Sequence, residues 1–362
     1  MAIIPKPDHT TAKYIYATYE QRAARSVEDG NRMHLGASEI GDDCARKNWY
    51  SFRWSLKSKF EGRMLRLFKR GHREEPEVIA DLRAANITVH DLDERGNQYG
   101  FSMWGGHFAG HFDGVAKGFP EAPTVWHVTE FKTHKDDLFK KLVKESVKVA
   151  QPKHFVQCQL YMGHSGVKRA MYIAVNKNDD DIYTERIEFD QAVFDKYVAK
   201  AEQVIFSDAP PPRLSEKPDF WKCNYCDYRD ICHAPRVPEV TCRSCAHVTP
   251  ERDGSWSCAK APAPGTIPEA VTRTGCSAHR YIPVLLDRFA RVKAADDAAN
   301  WVQYELTERF GGGTFVNGPS PGLSSAEIRA QPDPAIFAHP AIEELKAQFP
   351  GAKLLPSPES PT

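Results

Sequence analysis

The chain has 362 residues, with 48 Lys and Arg against 48 Asp and Glu and a formal net charge of zero. No global field therefore argues for a nucleic-acid partner, and such a case has to rest on local patches. No apolar run approaches the roughly 20 residues of a membrane span. The opening MAIIPKPDHT lacks the charged-then-apolar layout of a signal peptide, so the expected location is the cytoplasm, with no membrane partner.

Residues 11–34 read as an amphipathic helix with Tyr14, Ile15, Thr18 and Tyr19 as its inner face. Ser38 reads as the N-cap of the segment carrying Cys44, Arg46 and Trp49. From 46 to 73 the chain is strongly basic: Arg46, Lys47, Arg53, Lys57, Lys59, Arg63, Arg66, Lys69, Arg70 and Arg73 face a lone acidic Glu61. Trp49, Tyr50, Phe52, Trp54, Phe60 and Phe68 interleave with them. Such cations neutralise phosphates and such rings stack on unpaired bases, so the stretch suits a single-stranded nucleic-acid path. A solvated helix face over an ordinary core is the other reading.

A further helix opens at 71–76, with Val78, Ile79 and Leu82 inward. The period then changes, and 87–90, 105–112, 114–116 and 125–132 read as strands, with a hairpin-type connection at 93–100. Residues 137–164 are helical with a break at Gln151-Pro152, because the residue before a proline is driven out of the helical region. Residues 169–176 form a buried strand, 182–189 its partner, and 189–206 a helix ended by Pro210, Pro211 and Pro212. Past two cysteine groups, 284–309 reads as a last helix. The Gly-, Pro-, Ser- and Ala-rich remainder from 311 reads as a largely flexible tail, with weak helices near 325–330 and 341–349.

Chemistry concentrates between Glu75 and Tyr161. Alternation puts Glu130 and Lys132 on one strand face and Phe131 on the other. Two carboxylates and a lysine converging at a strand end suit a hard divalent cation, Mg2+ or Mn2+, and an activated water. Asp113 and Glu130 are the expected ligands, with the Phe131 carbonyl as a further oxygen. Glu75 completes the shell, Glu74 competing for that place. Lys132 would orient or deprotonate the water, and Gln157 and Tyr161, one helical turn apart, would hold the lysine or the DNA backbone. His111 is expected to pack beside Asp113.

Nine cysteines are present, and clustered cysteines in a cytosolic chain favour metal over disulfides. Cys158 stands apart as a small buried side chain. Cys223-x2-Cys226-x5-Cys232 leaves a fourth ligand open: His233 would complete a zinc knuckle, and Cys44 is the only cysteine far upstream. Cys242, Cys245, Cys258 and Cys276 make a second set, read as a four-cysteine Zn2+ site with His247 or His279 as possible replacements. A module of about forty residues cannot fold on its own core and would depend on the metal.

In order, Gly110-His111-Phe112-Asp113-Gly114, Glu130-Phe131-Lys132 and Gln157…Tyr161, with Gly71…Glu75 upstream, resemble the motifs of the PD-(D/E)xK nuclease superfamily. The match is to its RecB-like exonuclease branch, over about residues 35–235. The resemblance implies an α/β, restriction-endonuclease-like core with a mixed central β-sheet flanked by helices. It also implies Glu75, Asp113, Glu130, Lys132, Gln157 and Tyr161 as the catalytic set. One upstream cysteine with three downstream is similar to the iron–sulfur nucleases of the AddB type and those associated with CRISPR systems. This implies a structural [4Fe–4S] cluster on Cys44, Cys223, Cys226 and Cys232. The expected organisation is a nuclease domain at 1–235, a zinc-type module at 236–285, and a helix with a flexible tail at 286–362. The implied activity is metal-dependent DNA exonuclease action, with single-strand preference, in phage-type recombination or end processing, alone or with a recombination partner protein. A non-cleaving nucleic-acid-binding protein on the same fold is the alternative.

Overall fold

A computed structural model describes residues 10–25, 31–260, 265–349 and 351–355. Residues 26–30 of the helix expected over 11–34, and the tail beyond 355, lie outside the described residues. Packing groups the chain into two compact units: Met1–Gly41 with Lys57–Ala201, and Asp42–Leu56 with Glu202–Thr362. Residues 44–54, expected with the nuclease domain, thus belong to the later unit.

In chain order the first elements are α1 (Thr10–Ala24), β1 (Leu35–Gly36), α2 (Ala37–Ile40), α3 (Ala45–Phe52, in the second unit) and α4 (Gly62–Ala84). Then come β2 (Thr88–His90), β3 (Gly100–Met103), β4 (Phe108–His111), β5 (Gly114–Lys117) and β6 (His127–His134). They are followed by α5 (Asp136–Ala150), α6 (Pro152–Ser165), β7 (Arg169–Asn176), β8 (Ile182–Glu188) and α7 (Gln191–Phe206).

The core of the first unit is a five-stranded mixed sheet in the order β2-β5-β6-β7-β8. Only β6 and β7 are parallel, and α5 and α6 make the long crossover that a parallel pair needs. The expected mixed sheet flanked by helices is what the chain forms. One sheet face packs Phe131, Met171, Ile173 and Val175 against Val78 and Ile79 of α4. Strand alternation then sends Glu130, Lys132 and His134 to the opposite face. Ile173 and Val175 are β-branched and suit this doubly covered strand.

Several local expectations are corrected. In α1, Tyr14, Ile15 and Thr18 are exposed, and the half-buried positions include Tyr16 and Ala17. The helix docks where Glu20 Oε1 accepts the Gly62 amide at 2.6 Å. Ser38 lies inside α2, and Cys44 itself occupies the N-cap position of α3. No new helix opens at Gly71. Pro76 is carried inside α4, a single 23-residue helix, whose buried Val78 and Ile79 and long amphipathic face outweigh the lost hydrogen bond. The segment 93–100 does make a hairpin-type turn, closed by the antiparallel Leu92–Gln98 bridge and the Asp93 amide donating to the Asn97 carbonyl at 2.8 Å. The strands beyond it part: β2 pairs with β5, whereas β3 pairs with β4 in a separate three-stranded sheet with β1. The break at Gln151 falls where expected, between α5 and α6.

The second unit continues with α8 (Trp221–Asn224), α9 (Arg229–His233), β9 (Val248–Pro250), β10 (Trp256–Cys258), β11 (Gly265–Thr266) and α10 (Glu269–Thr272). It ends with β12 (Ala290–Asp296), β13 (Trp301–Leu306), β14 (Thr314–Asn317), α11 (Ser325–Ala330) and α12 (Pro340–Gln348). The expected helix at 284–309 is instead an antiparallel hairpin, β12 on β13, extended by β14. A bulge between Val292 and Ala294 breaks the strand period and so masks it in the sequence. The expected flexible tail is packed as far as it is described. Phe315, Leu323, Ile328 and Phe337 are buried, and Ser324 with Glu327 forms a capping box on α11.

Candidate active site

The acidic group is assembled where the chain changes sheets. Phe108–His111 belongs to the small sheet and Gly114–Lys117 to the large one, with Asp113 at the step between them. Gly114 makes the step possible: its φ is +152°, and a Cβ there would lie 2.7 Å from the His90 carbonyl oxygen. Gly110 permits a second close approach, since a Cβ would stand 2.7 Å from that of Ala37 and 3.0 Å from Tyr161 Cε1. Asp113 is then fixed on β6 from both sides. Its amide donates to the Thr129 carbonyl at 3.2 Å, and its Oδ2 accepts the Phe131 amide at 2.6 Å.

On the other face of β6, Glu130 is 1% exposed. Its Oε1 accepts from Lys132 Nζ, which also donates to the Phe131 carbonyl at 3.2 Å. The second oxygen, Oε2, is buried with no hydrogen-bond partner, as is Thr129 Oγ1. Burial pushes the Glu130 acid up to about 8; the Asp113 and Glu75 carboxylates add to the rise and Lys132 opposes it. Burial also raises Asp113, against the pull of Lys132 and the Phe131 amide. Glu75, half-buried on α4, is raised by burial and by Asp113, with Lys132 opposing. Three carboxyl groups and one ammonium therefore share one field, and Glu75 rather than Glu74 is the α4 member.

The rest of the expected set is placed differently. Gln157 and Tyr161 are buried on α6 and bond each other, Nε2 to Oη at 2.7 Å, while Lys132 is held by Glu130 and the Phe131 carbonyl. Tyr161 packs its ring near Phe101 and Phe112. His111, expected to pack beside Asp113, is exposed. Cys158 is fully buried, as expected.

A buried row behind Lys132 was missed. Tyr172 Oη lies 2.8 Å from both His134 Nε2 and His154 Nδ1, and the two imidazoles stack with centroids 5.7 Å apart. Burial and then the Lys132 charge lower both histidines, His134 to about 4, so the row is neutral at physiological pH. Continuing the alternation Glu130, Lys132, His134 would have found its first member.

The basic and aromatic path divides. Trp49, Tyr50, Phe52, Trp54, Arg46 and Arg53 are buried and cannot meet a nucleic acid, because the rings form a core and the two guanidiniums bond backbone carbonyls there. In the first unit Lys57, Lys59, Arg63, Arg66, Lys69 and Arg73 stay exposed. Phe60 and Phe68 pair edge to face at 5.1 Å and are 42% and 41% exposed.

In the second unit Cys44, Cys223, Cys226 and Cys232 line one cavity with Arg46, Lys47, Arg213, Arg229 and His233. All nine cysteines are free thiols. Among the described residues, no group of three or more His, Cys, Asp or Glu side chains is placed to hold a metal ion. Among the described residues, too, no helix is long and apolar enough to cross a membrane.

No family model matches the chain, and no curated protein matches it. Among solved structures it is similar to SSO0001 at 17% identity and a TM-score of 0.36, over 61% of this chain and 95% of that one. It is similar to LHK-Exo in complex with dAMP at 13% identity and a TM-score of 0.36, over 53% of this chain and 89% of that one. To an alkaline exonuclease (LHK-Exo) from Laribacter hongkongensis the identity is 14% and the TM-score 0.34, over 52% and 90%. Likenesses this distant carry no functional inference, which rests on the side chains described above.

Proposed function

We propose that this protein is a divalent-cation-dependent deoxyribonuclease of the PD-(D/E)xK kind, and within it an exonuclease of the RecB-like branch. The observation that carries the reading is the end of β6. A fully buried carboxyl with one oxygen unpaired stands beside a lysine and shares its field with Asp113 and Glu75. Leaving a buried carboxyl oxygen unmatched costs about 1–3 kcal/mol or more, and a cation is the partner this donor set suits. Hard oxygen donors fit Mg2+ or Mn2+.

Asp113, Glu130 and Glu75 would hold the ion. When bound, it supplies Lewis-acid polarisation of a phosphoryl oxygen and of an attacking water. With the ion held there Glu130 would be ionised, its proton passing to solvent, and the Lys132 ammonium beside it would orient the water and neutralise charge on the phosphate. Gln157 and Tyr161 brace the α6 wall beside Glu130. Exposed Lys59, Arg63, Arg66 and Lys69, with Phe60 and Phe68, offer cations and stacking faces to a strand. This supports single-strand preference, and a role in recombination or end processing follows from that activity.

The first cysteine set extends the proposal. The cavity shared by Cys44, Cys223, Cys226 and Cys232 is rimmed by guanidinium and ammonium groups, which suits the negative charge of a thiolate-held [4Fe–4S] cluster. Cys226 Sγ also accepts the Tyr228 amide. Such a cluster would be structural, tying α3 to the 223–232 segment of the same unit. A zinc ion with His233 is the outcome that would replace it.

End-labelled single- and double-stranded DNA, incubated with Mg2+, Mn2+ or chelator, tests the activity beside Lys132→Ala and Asp113→Ala. Progressive shortening that needs the metal and both residues is expected. Discrete internal products would make the protein an endonuclease, and binding without cleavage under every condition would make it the non-cleaving alternative.

A further inference from the structure

The second cysteine set is gathered by backbone pairing. Cys242 and Cys245 flank a single 3-10 turn locked by a capping box between Thr241 and Ser244, and the Cys245 amide donates to the Cys242 carbonyl at 3.1 Å. Cys258 ends β10, directly opposite Val248, three residues beyond Cys245. Cys276 follows Gly275, whose amide donates to the Val240 carbonyl at 2.9 Å, two residues before Cys242. Cys245 also bridges to Tyr281. The three other thiols are within electrostatic reach of Cys242.

A further observation points to a ligand. Arg280 is 2% exposed, and its guanidinium donates only to carbonyls: Asn300 at 2.7 Å, Ser277 at 3.3 Å and His279 at 2.6 Å. Among the described residues no carboxylate pairs with it. The groups of acidic type that act on it are the Cys245 and Cys276 thiols and the Tyr304 phenol. A buried cation without a counter-anion is costly, and neutral thiols do not supply one.

We propose that Cys242, Cys245, Cys258 and Cys276 bind one Zn2+ ion as four thiolates, and that the Arg280 guanidinium is the counter-cation of that centre. Four thiols release four protons on binding, which leaves a site of net charge −2 for Arg280 to offset. Zinc suits an all-sulfur, four-donor set. The surrounding strands of two or three residues are too short to stand alone. Among the described residues no three of the thiols are placed to hold the ion, so binding would have to draw the four side chains together. The inference does not depend on the catalytic reading.

The test uses the full chain purified from zinc- and iron-supplemented medium. Metal content is measured by mass spectrometry, and each cysteine's alkylation by iodoacetamide is followed by peptide mapping with and without 1,10-phenanthroline. One zinc per chain should persist in Cys223→Ser. Cys242, Cys245, Cys258 and Cys276 should be protected until the chelator removes it. Arg280→Met should weaken zinc by about 10–100-fold, with Arg280→Lys close to the parent. Chelator-independent alkylation of the four thiols, disulfides among them, or iron in place of zinc would overturn the proposal. Equal zinc affinity in Arg280→Met would remove the counter-cation role.

Discussion

Lys132 and Glu130, two positions apart on one strand, pair with each other while the second Glu130 oxygen lies buried and unpartnered. The pair is a resting state in which the lysine occupies one side of the acid and leaves the other side for a cation. Lys132→Ala is therefore expected to cut DNA hydrolysis by about 10²–10⁴-fold, the range for loss of a proton-transfer or charge-stabilising group. DNA binding, read by fluorescence anisotropy, should change little, because the exposed cations lie on α4 and the segment before it.

The raised Glu130 acid gives activity a pH dependence of definite sign. Below about 8 the carboxyl holds its proton, and Mg2+ must displace it, so apparent affinity should fall by about tenfold per pH unit as pH drops below that value. For the metal-free fold the sign is opposite. The native state holds this proton more tightly than the unfolded chain, so the group's contribution to stability is lost as pH rises from the ordinary carboxyl range to about 8. Glu130→Gln should abolish cation binding, flatten both slopes, and melt higher than the parent at alkaline pH without metal. Calorimetric titration and thermal melts across pH 5–9 (roughly, spanning the window set by the shift) check both.

The active-site residues were legible because strand alternation and motif order are local properties of the chain. Glu130, Lys132 and Asp113 could be put at one strand end without knowing which strands pair. The sheet change at Asp113 could not, since it depends on Gly114 and on β3 and β4 forming a separate sheet. The basic stretch misled for a related reason. Arg53 and Trp54 look like Lys59 and Phe60 in composition, yet they are buried in a different unit. Beyond 284, a bulge shifts the period of β12 and made a hairpin read as a helix.

Gly114→Ala is a direct test of the sheet change. The new methyl meets the His90 carbonyl at 2.7 Å in a backbone conformation that favours glycine. About 1–3 kcal/mol of stability should be lost, and Asp113 should shift with the strand, so cation affinity should fall even in variant protein that remains folded. Thermal melts and Mg2+ titration on the same sample separate the two effects.

The cysteine cavity predicts a colour. Protein purified without oxygen should be brown, with broad visible absorption and about four iron atoms per chain. Cys223→Ser or Cys44→Ser should lose both. A colourless parent with zinc in that cavity would assign it to His233 and three thiolates.

Tyr172 is the last element with a consequence of its own. It is fully buried, and its hydroxyl meets two imidazoles whose own titration is pushed down by burial and by Lys132. One hydroxyl has a single proton to give, so one imidazole accepts it and the other donates; because His134 meets it through Nε2 and His154 through Nδ1, both rings take the same tautomer. Tyr172→Phe removes both partners at once and leaves two buried ring nitrogens unmatched. Each such nitrogen costs about 1–3 kcal/mol, and the melting temperature should fall accordingly. Imidazole protons in the NMR spectrum should lose their slow exchange, while Mg2+ affinity stays within a few-fold of the parent because Asp113, Glu130 and Glu75 are untouched. A large loss of cation binding with an unchanged melt would instead place the tyrosine in the metal site.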